Sequence, residues 1–295
     1  MAVVETLDYY RPRVRKPAKK VAAPALVPVK PPPRATVKIP KYLRDVYTWA
    51  YIDPVNVRLL DRNWVVNTVL WGNKDRLQRV LFDELEPGQH VLQACCVYGD
   101  LTPKLAHLLG PQGRLVVIDV SPAQIEACER KVRDIPQATA RFADAACPGG
   151  GPYDVVVSFF LLHEMPDGYK RAVVDALLAS LAPGGKAVFI DYHKPDPWHP
   201  LKWITALVFA LLEPFAKSMW RHSIAGFASA AEGFTWRKEA YFGGLFQKVV
   251  VERRVEDQVG AVWCEPVSGD NLYPIQTPLA RSRPATAKTP STHPF

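Results

Sequence analysis

The chain has 295 residues, 48% hydrophobic and 22% charged, which is the composition of a globular protein. At this length folding buries about 75% of the surface of the unfolded chain, so neither disulfides nor a structural metal is needed. The net charge is +8, but residues 1–40 hold nine basic and two acidic residues. The rest of the chain is nearly neutral, which argues against a nucleic-acid-binding face, and we expect no nucleic-acid partner.

The sequence does not indicate a zinc-binding or disulfide-rich protein, a secreted protein or a membrane-spanning one. The five cysteines are scattered without a CxxC pair, so neither a zinc site nor a disulfide framework is predicted, and a reducing compartment is expected. The N-terminus lacks the apolar core of a secretory signal. The longest nearly uninterrupted apolar run, 203–212, is too short to cross a bilayer.

The composition divides the chain into two tails and one domain. Residues 1–40 are basic and rich in proline, residues 256–295 are rich in proline, serine and threonine, and both are predicted to be disordered. A basic tail can bind anionic lipid headgroups, bind RNA weakly or only aid solubility. Residues 41–255 are predicted to form a single catalytic domain.

Within that domain, short apolar runs typical of strands alternate with amphipathic segments typical of helices. The predicted helices cover 42–85, 103–109, 122–134 and 169–181, and the predicted strands cover 90–97, 113–119, 139–143, 153–160 and 186–191. An aromatic-rich helical insertion, 198–228, precedes an antiparallel hairpin of residues 234–242 and 246–253. This order predicts an α/β fold with a doubly wound, mostly parallel, seven-stranded sheet preceded by N-terminal helices.

The loop after the first strand carries the first chemical signal. In such sheets the ligand binds outside the carboxyl ends of the strands, where the strand order reverses. The loop 93–102 is similar to the acid-x-Gly-x-Gly-x-Gly loop of class I S-adenosylmethionine (SAM) methyltransferases, with most signature positions replaced. Gln93 stands in place of the acid, Cys95 and Val97 stand in place of two glycines, and Gly99 is kept. The loss of glycines implies a different ligand path or a filled pocket.

Two acids at later strand ends strengthen this interpretation. Asp119 ends the second strand, where an acid accepts hydrogen bonds from ribose hydroxyls, and Asp144 follows the third strand, where class I enzymes contact adenine. Asp119 could instead cap a helix, with Ser121 as its rival, and Asp144 could be a turn residue. The predicted cofactor-binding residues are Gln93, Gly99, Asp119 and Asp144, and the predicted cofactor is SAM.

Further polar residues follow the fourth and fifth strands and can face the same crevice. They could supply acid–base groups, or oxygen and imidazole ligands for a divalent metal. The histidines could instead cap the strands or satisfy backbone groups. The predicted catalytic residues are Tyr98, Asp100, His163, Glu164, Asp191 and His193.

Several short segments together resemble the RquA family of rhodoquinone biosynthesis proteins, over about residues 40–255. The matching segments are Tyr42-Leu43, Tyr47, Trp49-Ala50-Tyr51, Pro54, Trp64, Asn67, Leu70-Trp71-Gly72-Asn73, residues 96–102, 160–164, 183–186, 191–193 and Leu212-Glu213-Pro214-Phe215. The Trp-Gly-Asn and Val-Tyr-Gly-x-Leu-Thr segments are specific, whereas Pro-Gly-Gly is common to many methyltransferases.

The resemblance implies conversion of ubiquinone to rhodoquinone, in which an amino group replaces a ring methoxy group. SAM would donate the nitrogen, and Mn²⁺, held near Asp100, would polarise the quinone carbonyl. A carboxylate at position 93 would favour the SAM ammonium, so Gln93 would favour the free amine that attacks the ring.

A quinone substrate implies a peripheral position on the membrane surface, on the cytoplasmic side of the bacterial inner membrane, or in mitochondria if the source is eukaryotic. The aromatic segment 198–220 would cover an apolar substrate or touch the membrane, with ordinary core packing as the rival. Two other functions remain open. One is methyl transfer to a quinone or another apolar small molecule, and the other is a non-catalytic assembly role on a SAM-binding fold.

Overall fold

The structure is a computed structural model that describes residues 38–253. Almost all of the two tails predicted to be disordered, 1–40 and 256–295, therefore lies outside the described residues. Seven strands form one sheet in the order β3-β2-β1-β4-β5-β7-β6, in which all strands except β7 run parallel. The strands are β1 His90–Gln93, β2 Arg114–Asp119, β3 Ala138–Phe142, β4 Tyr153–Phe159, β5 Leu181–Tyr192, β6 Phe234–Tyr241 and β7 Phe246–Arg253. The predicted doubly wound α/β fold is confirmed.

Helices cover both faces of the sheet. They are α1 Lys41–Val46, α2 Pro54–Leu60, α3 Asn63–Val69, α4 Lys74–Phe82, α5 Leu101–Leu109, α6 Pro122–Val132, α7 Asp167–Ala179 and α8 Lys202–Leu211, with a π-helical turn at Thr48–Ile52. The central strands are continuous apolar runs because each faces a helical layer on both sides. In β2, for example, Leu115 and Val117 belong to the core cluster that includes residues of α4, α5 and α6, whereas Val116 and Ile118 belong to the cluster that includes residues of α1 and α7.

Three predicted boundaries change in ways that affect the site. The long predicted helical region 42–85 is broken into four helices and the π-helical turn, with Asp53 and Pro54 starting α2. The first strand ends at Gln93 rather than at residue 97, because the chain turns there to reach α5. The insertion holds one regular helix, α8, followed by short 3₁₀ turns at Ala216–Trp220, Ile224–Phe227 and Ala231–Gly233.

The strand order reverses between β1 and β4, which opens a crevice at their carboxyl ends. Gly99 shapes the β1–α5 turn at this crevice, with φ of +79° and an N–H that donates to Asp61 Oδ1 at 2.9 Å. A Cβ on Gly99 would lie 2.9 Å from Asn63 Oδ1. The remaining glycine of the loop therefore lets the N-terminal helices pack closely on the turn.

We expect Gly99→Ala to lower the free energy of unfolding by about 2–3 kcal/mol, because it adds a close contact to an unfavourable backbone conformation. Gly88→Ala is the matched control, since Gly88 also has a positive φ but a Cβ added there would meet no atom within 4 Å. The control should cost about 1 kcal/mol. Denaturant unfolding measures both variants, and equal losses would contradict the role given to Asn63.

Candidate active site

A large cavity lies at the carboxyl ends of β1, β2, β4 and β5. It holds about 1150 Å³ of empty space, counting its opening to solvent. The N-terminal helices roof it, and most of its wall is apolar or aromatic. The apolar part of the wall includes Leu43, Leu60, Val65, Val66, Val69, Leu70, Phe159, Phe160, Leu161 and Met165. Its polar groups are few, and they come from strand ends, the roof and the insertion.

Asp119 lines the cavity at the end of β2. Its carboxylate accepts hydrogen bonds from the backbone N–H groups of Cys96 at 2.9 Å and Ser121 at 2.8 Å, so it joins the β1 and β2 turns. Burial raises the pKa of Asp119 to about 6, while these N–H groups oppose the rise. The carboxylate is thus fixed in orientation and still faces the cavity.

Asp144 lines the cavity beyond β3. Its carboxylate accepts from the N–H of Ala146 at 2.8 Å and from the hydroxyl of Tyr169 on α7. Burial raises its pKa. The structure therefore brings Asp119 and Asp144, two of the four predicted cofactor-binding residues, to one cavity, in the positions expected for contacts with ribose and adenine.

Tyr98 also lines the cavity, and it contacts the N-terminal segment that covers the cavity. Its ring stacks on that of Tyr51 with centroids 5.7 Å apart and planes inclined by 14°. Its hydroxyl donates to the carbonyl oxygen of Ala50, within the π-helical turn. Such turns recur at functional sites, and this one closes the cavity over the loop that follows β1.

His163 is held by Asp191 at the far end of the cavity. His163 Nδ1 lies 3.0 Å from Asp191 Oδ1, and Asp191 Oδ2 accepts from the N–H groups of Leu162 at 2.9 Å and His163 at 3.3 Å. Burial by itself lowers the pKa of His163, but the Asp191 carboxylate raises it to about 9. His163 lines the cavity as an imidazolium, whereas Asp191 is behind it and does not.

Glu164 and Glu213 complete the polar end of the cavity. Tyr51 donates its hydroxyl to Glu164, and Tyr47 donates to Glu213 Oε2 at 2.6 Å. Burial and the charge of Glu213 raise the pKa of Glu164 to about 8, although the His163 charge opposes this. Glu213, Tyr47 and Tyr51 are absent from the site residues predicted from the sequence, although all three belong to the segments that carry the family resemblance.

Five predicted site residues do not line the cavity: Asp191, which holds His163 from behind, and Gln93, Gly99, Asp100 and His193. Gln93 is fully buried, and its amide donates to Thr102 Oγ1 at 2.9 Å and to the Cys95 carbonyl oxygen at 2.8 Å. His193 lies against the β6–β7 hairpin, with Nδ1 2.8 Å from the Gly244 carbonyl oxygen and Nε2 2.7 Å from Lys238 Nζ. Gln93 and His193 thus hold neighbouring chain segments together.

Asp100 faces α4 rather than the cavity. It forms ion pairs with Lys74 at 2.9 Å and Lys104 at 2.8 Å, and it accepts from Gln78 Nε2 at 2.9 Å. Burial alone would raise its pKa, but these donors hold it well below its usual range. Two ammonium groups already neutralise this carboxylate, so Asp100 does not fit a cation. Within residues 38–253 no group of three His, Cys, Asp or Glu side chains could hold a metal.

The comparisons with known proteins agree with this geometry. Residues 92–187 match the family model described as a methyltransferase domain. Over 221 residues the chain is 31% identical to an uncharacterized methyltransferase of Synechocystis, sll0829, a match that covers 72% of this chain and 97% of the relative. This chain belongs to the SAM-dependent methyltransferase family.

Two further proteins are similar to this methyltransferase-like chain at lower identity. The ubiquinone/menaquinone biosynthesis C-methyltransferase UbiE of Shewanella sediminis is 29% identical over 116 residues, which is 37% of this chain and 45% of that enzyme. A possible exported protein of Bordetella parapertussis has a solved structure with a TM-score of 0.51 at 23% identity, over 65% of this chain and 70% of that one. The latter match shows the fold alone.

In this SAM-dependent methyltransferase-like chain, we expect Asp119→Ala to weaken SAM binding by about 1.5–3 kcal/mol, the scale of a hydrogen bond to a charged group. Calorimetric titration with SAM measures the loss, and circular dichroism checks that the variant is folded. Asp134→Ala, at an exposed position after α6, is the control and should bind normally. Unchanged affinity in a folded Asp119→Ala protein would remove Asp119 from the cofactor site.

The raised pKa of Glu164 has a consequence for stability. The folded chain keeps a proton on Glu164 up to about pH 8, whereas the unfolded chain loses it near pH 4.5, so this group makes folding less favourable as pH rises through that window. As the pH rises from about 5 to about 8.5, the free energy of unfolding of Glu164→Gln should therefore gain about 4 kcal/mol relative to that of the unmodified protein. Denaturant unfolding at both pH values tests this, and Glu86→Gln, at an exposed position, is the control. A difference in free energy of unfolding between Glu164→Gln and the unmodified protein that does not vary with pH would contradict the prediction.

Proposed function

We propose that this chain converts ubiquinone to rhodoquinone, with the SAM amino group supplying the nitrogen that replaces a ring methoxy group. The observation that carries the proposal is the division of the cavity. His163, Glu164 and Glu213 lie together at one end, and apolar and aromatic side chains form most of the remaining wall. A quinone, which has polar ring oxygens and an apolar tail, suits such a cavity.

The loop that follows β1 supports amino transfer in particular. The loop residues that line the cavity are Ala94, Cys95, Cys96, Val97 and Tyr98, and none of them carries a carboxylate. A carboxylate there would favour the ammonium form of the SAM amine, and its absence makes the nucleophilic free amine easier to form. The effect comes from the missing charge, because the amide of Gln93 is bonded to Thr102 and does not face the cavity.

The proton movements can be assigned to residues of the cavity. As the C–N bond forms at the ring carbon, the amine loses a proton, which an ionised carboxylate accepts. As the ring C–O bond breaks, the methoxy oxygen takes up a proton and methanol leaves. His163, as an imidazolium, can donate a hydrogen bond to the quinone carbonyl oxygen. To free the nitrogen, the Cα–H bond of the attached SAM residue breaks, its proton passes to an ionised carboxylate, and its electron pair reduces the quinone ring. Water then hydrolyses the resulting C=N bond, so the aminated ring leaves as rhodoquinol, the two-electron-reduced form of rhodoquinone, together with the 2-oxo acid derived from SAM. No step requires a metal at Asp100.

Methyl transfer to a quinone ring is the second candidate. The 29% identity to UbiE favours it, since that relative is a C-methyltransferase of ubiquinone and menaquinone biosynthesis. In that reaction the S–CH₃ bond of SAM would break as the methyl group bonds to the ring carbon, and an ionised carboxylate of the cavity would accept the proton lost by the ring. The same cavity serves both reactions, so product analysis distinguishes them.

We also propose that the protein lies on the membrane surface, on the cytoplasmic side if it is bacterial, where it meets its quinone. No helix among residues 38–253 is long and apolar enough to cross a bilayer. One face of α8 is instead apolar and exposed, with Trp203 79%, Leu207 58% and Leu211 72% exposed. These residues are spaced four apart, as on one side of a helix, and Glu213 of the cavity follows directly.

The reaction is tested by incubating the protein with a short-tailed ubiquinone and two separately labelled samples of SAM. One sample is labelled at the amino nitrogen and the other at the methyl group. We expect nitrogen label in a quinone that has lost a methoxy group, with no methyl label. Methyl label in the quinone would support methyl transfer and exclude the amino-transfer proposal, and neither product together with no SAM binding would favour a non-catalytic role.

Membrane attachment is tested by sedimentation with anionic vesicles. The protein should pellet at low salt and be partly released at high salt, since surface attraction between charges is screened. The double change Trp203→Ser and Leu207→Ser should reduce pelleting several-fold. Val55→Ser with Leu59→Ser, at exposed positions on α2, is the matched control. Equal loss in the two double variants would contradict attachment through α8.

A further inference from the structure

We propose that Glu213 is a catalytic acid–base residue, which acts with Glu164 as a carboxyl pair that shares one proton and exchanges it with the reacting ring. The inference rests on the proposed function, because it assigns the proton steps of that reaction. It concerns a residue that comes from the insertion between β5 and β6, outside the strand ends that normally supply such groups.

Lys170 positions Glu213 relative to Glu164. Lys170 is fully buried on α7, and its ammonium donates to the carbonyl oxygens of Met165 at 2.7 Å and Phe215 at 3.0 Å and to Ser218 Oγ at 2.6 Å. Met165 follows Glu164, and Phe215 is two residues beyond Glu213. One buried cation therefore ties the two carboxyl-bearing segments together at the same end of the cavity.

Two phenols fix the orientation of the carboxyl groups. Tyr47, which is fully buried, donates to Glu213, and Tyr51 donates to Glu164. The rings of the two tyrosines are 5.9 Å apart. Burial and the nearby carboxylates raise the pKa of both phenols far above the ordinary value, so they stay protonated and act as fixed donors. A phenol has a single O–H to donate, so each carboxyl group keeps acceptor positions for the cavity.

The surrounding charges favour one proton on the pair. The groups that face it are His163, Asp191, Asp119 and the Cys95 thiol, together with the four phenols of Tyr47, Tyr51, Tyr98 and Tyr192. The Lys170 ammonium is paired with Asp167 at 3.1 Å. With every acid ionised, the imidazolium of His163 would therefore face four carboxylates, those of Asp119, Glu164, Asp191 and Glu213. Burial, together with the repulsion between carboxylates, raises the pKa of both glutamates. Two interacting carboxyl groups then lose their protons in separate steps, and the singly protonated pair is the form between them.

The singly protonated pair matches the demands of the displacement. Its ionised member accepts the proton that the amine loses as the C–N bond forms. Its neutral member donates a proton to the methoxy oxygen as the C–O bond breaks, and methanol leaves. The pair ends the displacement with one proton, as it began. Methyl transfer to a ring carbon would use only the accepting member, since that reaction releases a proton without consuming one.

The kinetic test compares Glu213→Gln with Glu86→Gln, which makes the same change at an exposed position before β1. In single turnovers with labelled SAM and short-tailed ubiquinone, we expect Glu213→Gln to lower the rate constant about 100-fold and to leave the affinity for SAM unchanged. The plot of the single-turnover rate constant against pH should lose one of its two limbs in Glu213→Gln. Glu213→Asp should recover part of the rate, and Glu164→Gln combined with Glu213→Gln should lose little more than either change alone. Normal turnover by Glu213→Gln would overturn the proposal.

A second measurement separates this inference from the proposed function. The imidazole of His163 can be titrated by NMR in the full chain without any substrate. Loss of a neighbouring carboxylate should lower the pKa of His163 by about one unit in Glu213→Gln and leave it unchanged in Glu86→Gln. If the unmodified protein turns over no quinone, the proposed reaction is wrong. The His163 titration then tests by itself whether Glu213 acts with Glu164 as a carboxyl pair beside His163. An unchanged His163 titration would then overturn the pair, and the expected shift would support it.

Discussion

The active end of the cavity depends on one buried carboxylate. Asp191 is 1% exposed at the end of β5, and it accepts hydrogen bonds from four donors: the N–H groups of Leu162, His163 and Tyr192 and the ring of His163. A buried charge is tolerated only when it is paired and fully hydrogen-bonded, and this arrangement meets that condition. The turn after β4 is therefore fixed against β5, and the directions of His163 and Glu164 follow from it.

The roof of the cavity is tied to the sheet by polar contacts rather than by packing alone. The hydroxyls of Tyr98 and Ser121, on the loops after β1 and β2, donate to the carbonyl oxygens of Ala50 and Tyr51. In the other direction, Tyr47 and Tyr51 donate to acids near β4 and α8. The segment that contains the π-helical turn thus contacts the loops on which the cofactor is expected to lie. We infer that the β1 loop can lack most of the usual glycines because this segment, through these hydrogen bonds, also shapes the site.

The sheet could be predicted from the sequence, and so could the site residues whose position follows from a strand end. Asp119 ends β2, Asp144 follows β3, and His163 and Glu164 follow β4, and parallel strands bring their carboxyl ends to one edge. The direction of a side chain beyond a strand end depends on the turn, which the pattern does not specify. Asp100 therefore turns to the lysines of α4 and α5, and His193 turns to the hairpin. Glu213 could not be found in this way, because the insertion that carries it lies outside the alternation of strands and helices.

Phe160 shows how the fold maintains an unfavourable conformation at this site. It directly follows β4 with φ of +53°, a region that bulky side chains rarely occupy. Its N–H donates to the Ile190 carbonyl oxygen at 2.7 Å, and its ring meets those of His163, Tyr192 and Phe246 edge-on at 5.2–6.0 Å. The cost of such a conformation is on the order of 1–3 kcal/mol, and it persists only where the surroundings fix it. Here the aromatic contacts stabilise the turn after β4, which directs His163 into the cavity. The same packing of aromatic rings therefore forms part of the cavity wall and orients the acid–base group.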